Sequence, residues 1–552
     1  KGTTLPMLEM LLDAYPEAAT LANSGGSLPL HSVIYWEAPI TIVTALLDAY
    51  PEATQRTDNE GRLPVHWIFD ASLAVTKLVT TAFPAGLAAK DNVGDTALTL
   101  AANSENSPIQ KIRFLLEQNR DAVKVANNNS QLPLHRALKR GAPAVIVAAL
   151  LEAYPEAAGI ALNDGSLPLH LCLEGKASLD IVKMVSMAFP LAAKQAATID
   201  GKFPLHTAVA TSGTSSSVLK HLLDEAPVIT SETNHLNELP LHLACKNGAP
   251  LASIQELLKA YPVGVSQASL DGSFPLHCAC QGNLSLDAIR ALVNLEKTVL
   301  TRTDDQGRLP LHLAASHSAA LPVVQYLLTE HPDALTTADV TGECPLHAAV
   351  KHSAPLGVIQ HFLKKAPGIA RRVMHDKSLP LHVALEHEAS IEVINELLKH
   401  FPESCSQPRS SDGKLALHVA CANNQSVPIL NLLIEKDAGS ISHLCRNGDT
   451  ALHCALRAVR PLAVISTLTT AHPQSISVVN EARELPLHVA ASQNKTSLDV
   501  LQHLYNISSE AASAENKKKQ LLLHLALQAG AAAPIVEALL SWHPGAVNTA
   551  DE

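Results

Sequence analysis

One arrangement of apolar and polar positions returns along the chain at intervals of 33 to 36 residues. Each copy opens on a polar turn, often Asp-Gly, as at Asp164-Gly165, Asp200-Gly201, Asp271-Gly272 and Asp412-Gly413. That pair suits tight turns with positive φ. Leu-Pro-Leu-His or a close variant follows, as in Pro133-Leu134-His135-Arg136-Ala137-Leu138-Lys139. Proline is favoured in the first turn of a helix, where its missing N–H costs nothing, so a first helix is predicted here. A second set of prolines, such as Pro39, Pro143, Pro250 and Pro355, opens a longer second helix like Ala144–Leu151. A third set ends that helix, as in Ala153-Tyr154-Pro155, because proline pushes the residue before it out of the α region. Of 34 prolines only Pro408 falls outside these three sets, so the unit reads as turn, short helix, connection, longer helix, return loop. A period of this length marks a stacked repeat array rather than a set of globular domains.

The motif ends on His31, His66, His135, His170, His206, His242, His277, His312, His347, His382, His418, His453, His488 and His524, and Thr99 fills the one missing beat. A column of histidines invites a metal reading, but zinc needs its ligand atoms about 2.0–2.1 Å from one ion. Helices in neighbouring repeats pack about 8–10 Å apart, so adjacent motif histidines cannot share one. His277, Cys278 and Cys280 are soft ligands close in sequence, yet consecutive helical positions face different ways.

Gly307-Arg308-Leu309-Pro310-Leu311-His312-Leu313-Ala314-Ala315 is typical of the unit, which resembles the ankyrin repeat over essentially the whole chain. That family's unit carries Gly-x-Thr-Pro-Leu-His-x-Ala-Ala and then a Val-Val-x-x-Leu-Leu helix. Gly448-Asp449-Thr450-Ala451-Leu452-His453 and Gly94-Asp95-Thr96-Ala97-Leu98 come nearest to it at the threonine. The resemblance implies buried motif histidines that tie backbone turns together by hydrogen bonds. Two departures stand out. The unit is about two residues longer than the usual 33, and leucine replaces threonine in most copies. Threonine caps the first helix, and a lost cap costs about 1 kcal/mol. A buried leucine can offset that with roughly 1.5–3 kcal/mol. The expected fold is all-α: an ankyrin-type helix-turn-helix repeat solenoid of about fifteen units in a curved stack. Residues 1–20 are expected to be the second half of a repeat. Residues 21–552 are expected to be one continuous array that ends at the start of a further repeat.

Composition narrows the function. Hydrophobic residues make up 47% of the chain and aromatics only 3%, so Ala and Leu fill thin, closely stacked layers. A net charge of −11 argues against nucleic acid or anionic membrane as a partner. No apolar stretch is long enough to span a bilayer. Nine cysteines follow the repeat rather than a disulfide framework, which favours an intracellular, cytoplasmic setting. No phosphate-binding Gly-rich loop, His-Glu-x-x-His or paired carboxylates suggest an enzyme or a cofactor. The expectation is a monomeric, non-catalytic scaffold for protein partners on the concave face. The alternative is a regulatory or sensory arm of a larger signalling or membrane protein.

The resemblance also implies that binding uses the turn tips and the exposed end of the first helix. Here that end lies four and five residues after each motif histidine. The candidates are Tyr35, Trp36, Asp70, Lys139, Arg140, Glu174, Lys246, Asn247, Gln281, His317, Lys351, His352, Glu386, His387, Asn423, Arg457 and Gln493. Tyr35 and Trp36 are expected to stand exposed beside Asp70, as aromatics at binding hot spots do. His317, His352 and His387 hold one position in three consecutive repeats, a row that would make binding sensitive to pH.

Overall fold

The computed structural model describes residues 5–104 and 107–548, so the expectation that 549–552 begin a further repeat lies outside the described residues. Among these residues there are thirty α-helices and no strands. The chain forms two compact units, Lys1–Asp271 and Gly272–Glu552. Each unit is by itself a stack of helical pairs. In the first, helix Ala97–Asn103 packs on Pro133–Arg140, and that on Pro168–Glu174; in the second, Pro310–Ser316, Pro345–Lys351 and Pro380–Glu386 do the same. Every second helix is ten residues long, as in Ala144–Ala153 and Leu356–Lys365.

The prolines act largely as their positions predict. Motif prolines take the first helical turn, as Pro133 does, and the connection prolines sit at the N-cap of the second helix, as Pro143 does. The third set does more than stop a helix. Pro155 opens a one-turn 3-10 helix, Pro155–Gly159, and Pro51, Pro262 and Pro473 do likewise. Proline's fixed φ is already set for a first helical turn, so the same residue that ends one helix starts the next. The unit therefore has a third helical element that the sequence reading assigned to a loop. One first helix is also shorter than expected: Pro64–Trp67 is a single 3-10 turn.

Between the first and second helix the chain turns through a left-handed residue. Gly141, Gly248 and Gly530 take this position at φ 74, 69 and 71°, as glycine does without steric cost. Just past it, an N–H returns to the carbonyl five residues back in the helix, as from Ala142 to Ala137 (2.9 Å) and from Ala249 to Ala244 (2.9 Å). Val459 holds the same place at φ 51° with a β-branched side chain.

In most repeats the motif histidine makes two bonds that explain why leucine can stand where threonine caps; His347 and His382 have no partner at Nε2, and His418 has none at Nδ1. The Leu132 side chain cannot accept a hydrogen bond; instead the residue's own N–H donates to His135 Nδ1 at 3.0 Å. The same bond runs from Leu28 to His31 (3.1 Å), Leu309 to His312 (3.0 Å) and Leu521 to His524 (3.0 Å). The ring's other nitrogen reaches a carbonyl beyond the second helix, in the return loop of its own repeat or in the hairpin of the following one. His135 Nε2 donates to Ile160 (2.9 Å), His206 to Glu238 (3.0 Å), His312 to Glu343 (3.1 Å) and His488 to Ala514 (2.9 Å). Where threonine remains, both devices coexist: Thr450 Oγ1 accepts from the His453 N–H (3.4 Å) while Thr450 N–H donates to His453 Nδ1 (3.2 Å). Thr99, which replaces histidine, pairs its hydroxyl with that of Thr96 at 3.0 Å. The leucines are buried too, Leu132 to 2% and Leu239 to 0% exposure.

Because Nδ1 accepts and Nε2 donates, only the neutral Nε2–H ring fits. A second proton on Nδ1 would face the motif N–H head on. Burial, the largest cause, holds eleven of these histidines below the ordinary value, and His206, His347, His382 and His418 come down to about 4. The unfolded histidines titrate near ~6.5. Between the two values the unfolded chain binds protons that the folded chain refuses. The contribution to stability is therefore full above the unfolded value and is lost as pH falls toward the folded one. The melting midpoint, followed by circular dichroism, should drop steeply between about pH 6.5 and 4; a midpoint flat across that window would contradict the neutral tie. Val459→Gly should raise stability by about 1 kcal/mol in urea denaturation, because it removes β-branched strain at positive φ.

Candidate functional site

In most repeats the first helix ends at the fourth residue after the motif histidine and the fifth is its C-cap; Pro133–Arg140 runs one residue further, while Pro64–Trp67 and Pro486–Ala491 stop earlier. Lys351 closes Pro345–Lys351 and His352 caps it; Lys246 and Asn247 stand likewise on Pro240–Lys246. The candidate positions of each unit thus form a row of helix C-termini. Tyr35, Trp36, Lys139, Arg140, Glu174, Lys246, Asn247, Gln281, His352, Glu386, His387 and Arg457 are exposed there, while Asp70, His317, Lys351, Asn423 and Gln493 are half-buried. Cations at these ends have a structural use of their own, since the last carbonyls carry partial negative charge.

Several candidates are already engaged within the fold. Lys246 Nζ pairs with Glu238 at 3.3 Å, Lys351 with Glu343 at 3.0 Å, and Arg457 with Asp449 and Glu484, both at 3.0 Å. All four carboxylates stand four residues before a motif histidine, so each pair joins helix end to turn. Glu386 pairs with Arg409 at 3.2 Å. Asn247 and Asn423 fold back on the carbonyls of Leu243 (2.8 Å) and Val419 (2.9 Å), and His317 Nδ1 donates to Leu313 (3.1 Å). These residues were read from the sequence as a polar face open to a partner. Glu238, Glu343 and Asp449 lie eight residues before their partners and Glu484 lies 27 after Arg457, spacings that signal nothing without the fold.

In the first unit the face carries an aromatic cluster. The Tyr35 ring meets both Trp36 and Trp67 edge-on at 5.0 Å, and Trp67 lies 6.1 Å from Phe69. Arg62 stacks on Trp67 at 4.0 Å, and Trp67 Nε1 donates to Asp58 at 3.3 Å. Trp36 remains 60% exposed, so the cluster has a packed inner side and an open outer one. Beneath it lies a residue that the sequence reading passed over. Lys111 is fully buried, at a second-helix position where Ile146 and Val358 stand in other repeats. Its Nζ donates to the carbonyls of Ile68 (2.8 Å) and Phe69 (2.7 Å), just past the shortened helix Pro64–Trp67. Burial lowers its pKa to about 8, opposed by the nearby charges of Asp70 and Glu37. Asp70 also accepts from Ser104 Oγ at 2.8 Å, so this candidate too belongs to the scaffold. A lone charge on the apolar stripe was the available signal.

In the second unit His317, His352 and His387 cap three successive first helices, with φ of −103, −105 and −103°. Partial burial lowers the His352 pKa first, followed by Lys351; His317 and His387 act in the same direction and Glu343 opposes them. His352 therefore stands within reach of the charge of both neighbouring rings. Among the described residues no group of three His, Cys, Asp or Glu side chains could hold a metal ion, and no helix is long and apolar enough to cross a membrane.

A family model described as ankyrin repeats (3 copies) matches residues 241–338 and 381–480. These segments carry ankyrin repeats, which are generally protein–protein interaction modules. Among solved structures it is similar to the ankyrin repeat domain of Bcl-3, described as a unique member of the IkappaB protein family. That likeness is 29% in identity, covers 42% of this chain and 99% of that chain, and has a TM-score of 0.35. No curated protein matches the chain.

Lys111→Met should cost about 2 kcal/mol, because two buried carbonyls lose their donor. Urea denaturation of the two proteins checks this; a more stable variant would mean that desolvating the ammonium outweighs its bonds.

Proposed function

We propose that this chain is a non-catalytic scaffold that binds protein partners along the exposed ends of its first helices. On this reading residues 21–548 act as one array in a single repeat register, and the protein works as a monomer. The observation that carries the proposal is the contrast between what repeats and what varies. The buried histidine tie, the leucines and the ten-residue second helix recur, while the exposed fourth and fifth positions change from aromatic to basic to acidic to histidine. Such a pattern suits a rigid frame that presents a different side chain at each step. Trp36 and Tyr35 supply an apolar anchor, and Lys139 with Arg140 a basic one. His317, His352 and His387 would favour an acidic segment as they gain charge. Nine buried cysteines, none of them in a disulfide, support a reducing, intracellular, cytoplasmic setting.

A pull-down from native extract, read by mass spectrometry, tests the face. The variant carries Ala at Trp36, Lys139, Arg140 and His352, and leaves the ion-paired Lys246, Lys351 and Arg457 in place. A partner held by the native chain and lost from the variant is the expected result. Equal retention by both moves binding to the turn tips or the second-helix side. With a partner in hand, affinity should rise as pH falls from about 7.5 to 5.5, a window in which histidine gains its proton. A flat profile, with folding checked by circular dichroism, removes the histidine row from the interface.

A further inference from the structure

Aromatic side chains are scarce in this chain, yet Tyr35, Trp36, Trp67 and Phe69 form one row across two neighbouring repeats. Tyr35 and Trp36 stand where other repeats carry Ser316 and His317, or Ala422 and Asn423, so stacking of the repeats does not call for rings there. The inner part of the row already holds a cation. The Arg62 guanidinium lies 4.0 Å from the Trp67 ring centre, while its nitrogens pair with Asp58 and Glu60, both at 3.0 Å. An aromatic face is electron-rich and a guanidinium is planar and weakly hydrated, so the two stack while carboxylates take the N–H groups.

The outer part of the row repeats these components. Tyr35 is 44% and Trp36 60% exposed, and their rings meet edge-on at 72° rather than stacked. Glu37 follows on the connection between the helices, exposed and at φ 53°. Asp70 stands half-buried directly after Phe69. Asp58 and Glu60 are taken up by Arg62, whereas among the described residues no basic side chain comes within ion-pair distance of Glu37 or Asp70. Lys111 lies beneath, its Nζ bonded to the Ile68 and Phe69 carbonyls, and both carboxylates act on its charge from further off. It offsets one of the two negative charges and leaves the outer side acidic. The wider surroundings have the same sign. Residues 1–75 hold nine acidic and three basic residues, against 52 and 41 in the whole chain. Such a field draws a cationic segment toward the face.

We propose that Trp36 and Tyr35, with Glu37 and Asp70, receive an arginine side chain from a basic segment of a protein partner. The proposal rests on the exposed helix ends being the binding face. The guanidinium lies against the exposed rings and turns its N–H groups toward the two carboxylates, as Arg62 does between Trp67 and its own pair. Lysine is a compact, strongly hydrated charge without a flat face, so it is the poorer ligand.

The test uses the whole chain and a fluorescein-labelled peptide of alternating Gly and Arg, followed by fluorescence anisotropy. The arginine peptide should bind several-fold tighter than the same peptide made with Lys, and one made with Glu should not bind. Trp36→Leu keeps an apolar side chain without a ring, and should weaken the arginine peptide roughly ten-fold. Trp36→Phe keeps a ring and should retain most of the affinity. Glu37→Gln should weaken binding about three-fold. Circular dichroism checks that each variant is folded. Equal affinity of the native chain and folded Trp36→Leu, equal affinity for the arginine and lysine peptides, or no binding by the native chain overturns the proposal. If the pull-down from native extract then still yields a partner that the four-site alanine variant loses, the helix-end face stands and only the arginine receptor falls.

Discussion

Everything in the fold leans on a neutral imidazole held between two backbone groups. One nitrogen takes the N–H at the start of its own first helix, and the other gives its proton to a carbonyl beyond the second helix, in the return loop or the next hairpin. The first bond replaces a helix cap and the second joins neighbouring layers. A single side chain thus couples local structure to stacking, and burial of the motif leucines seals it from water. No repeat needs a large core of its own, because each borrows apolar surface from the units on either side. That is how a chain with 3% aromatic residues stays packed.

The period, the helix pairs and the burial of the histidines were legible in the sequence, since proline, glycine and apolar spacing each constrain the backbone directly. The role of leucine at the cap was half legible. Its burial could be foreseen, but the transfer of the N–H to His135 Nδ1 depends on ring orientation. The 3-10 turns after Pro51 and Pro155 were missed because a proline that ends one helix and a proline that begins another look alike in a string of letters. Lys111 was missed because its partners, the carbonyls of Ile68 and Phe69, lie 43 and 42 residues away.

The candidate face was legible as positions and not as interactions. Exposed helix ends could be counted from each histidine, and Trp36, Lys139 and His352 do stand exposed there. Lys246, Lys351 and Arg457 also lie at those ends, yet their charge is spent on the turn carboxylates. A surface charge in a repeat stack has two employers, the neighbouring turn and a partner. Exposed ion pairs of this kind are worth about 0–1 kcal/mol, so a partner with a better-placed carboxylate could still take them over. Variation at the face and constancy behind it are two sides of one design, in which the histidine tie leaves the outer positions open to change.

The most direct measurement of the tie is the protonation state of the rings themselves. Protein labelled with nitrogen-15 at histidine gives two-bond nitrogen–proton correlations that separate the Nε2–H tautomer, the Nδ1–H tautomer and the imidazolium. Motif histidines that make both bonds, such as His135, His206 and His312, should show a protonated Nε2 and a bare Nδ1, unchanged until the stack itself unfolds. A set of motif histidines that titrates near the free value while the helices stay intact, or that carries its proton on Nδ1, would contradict the account at its base.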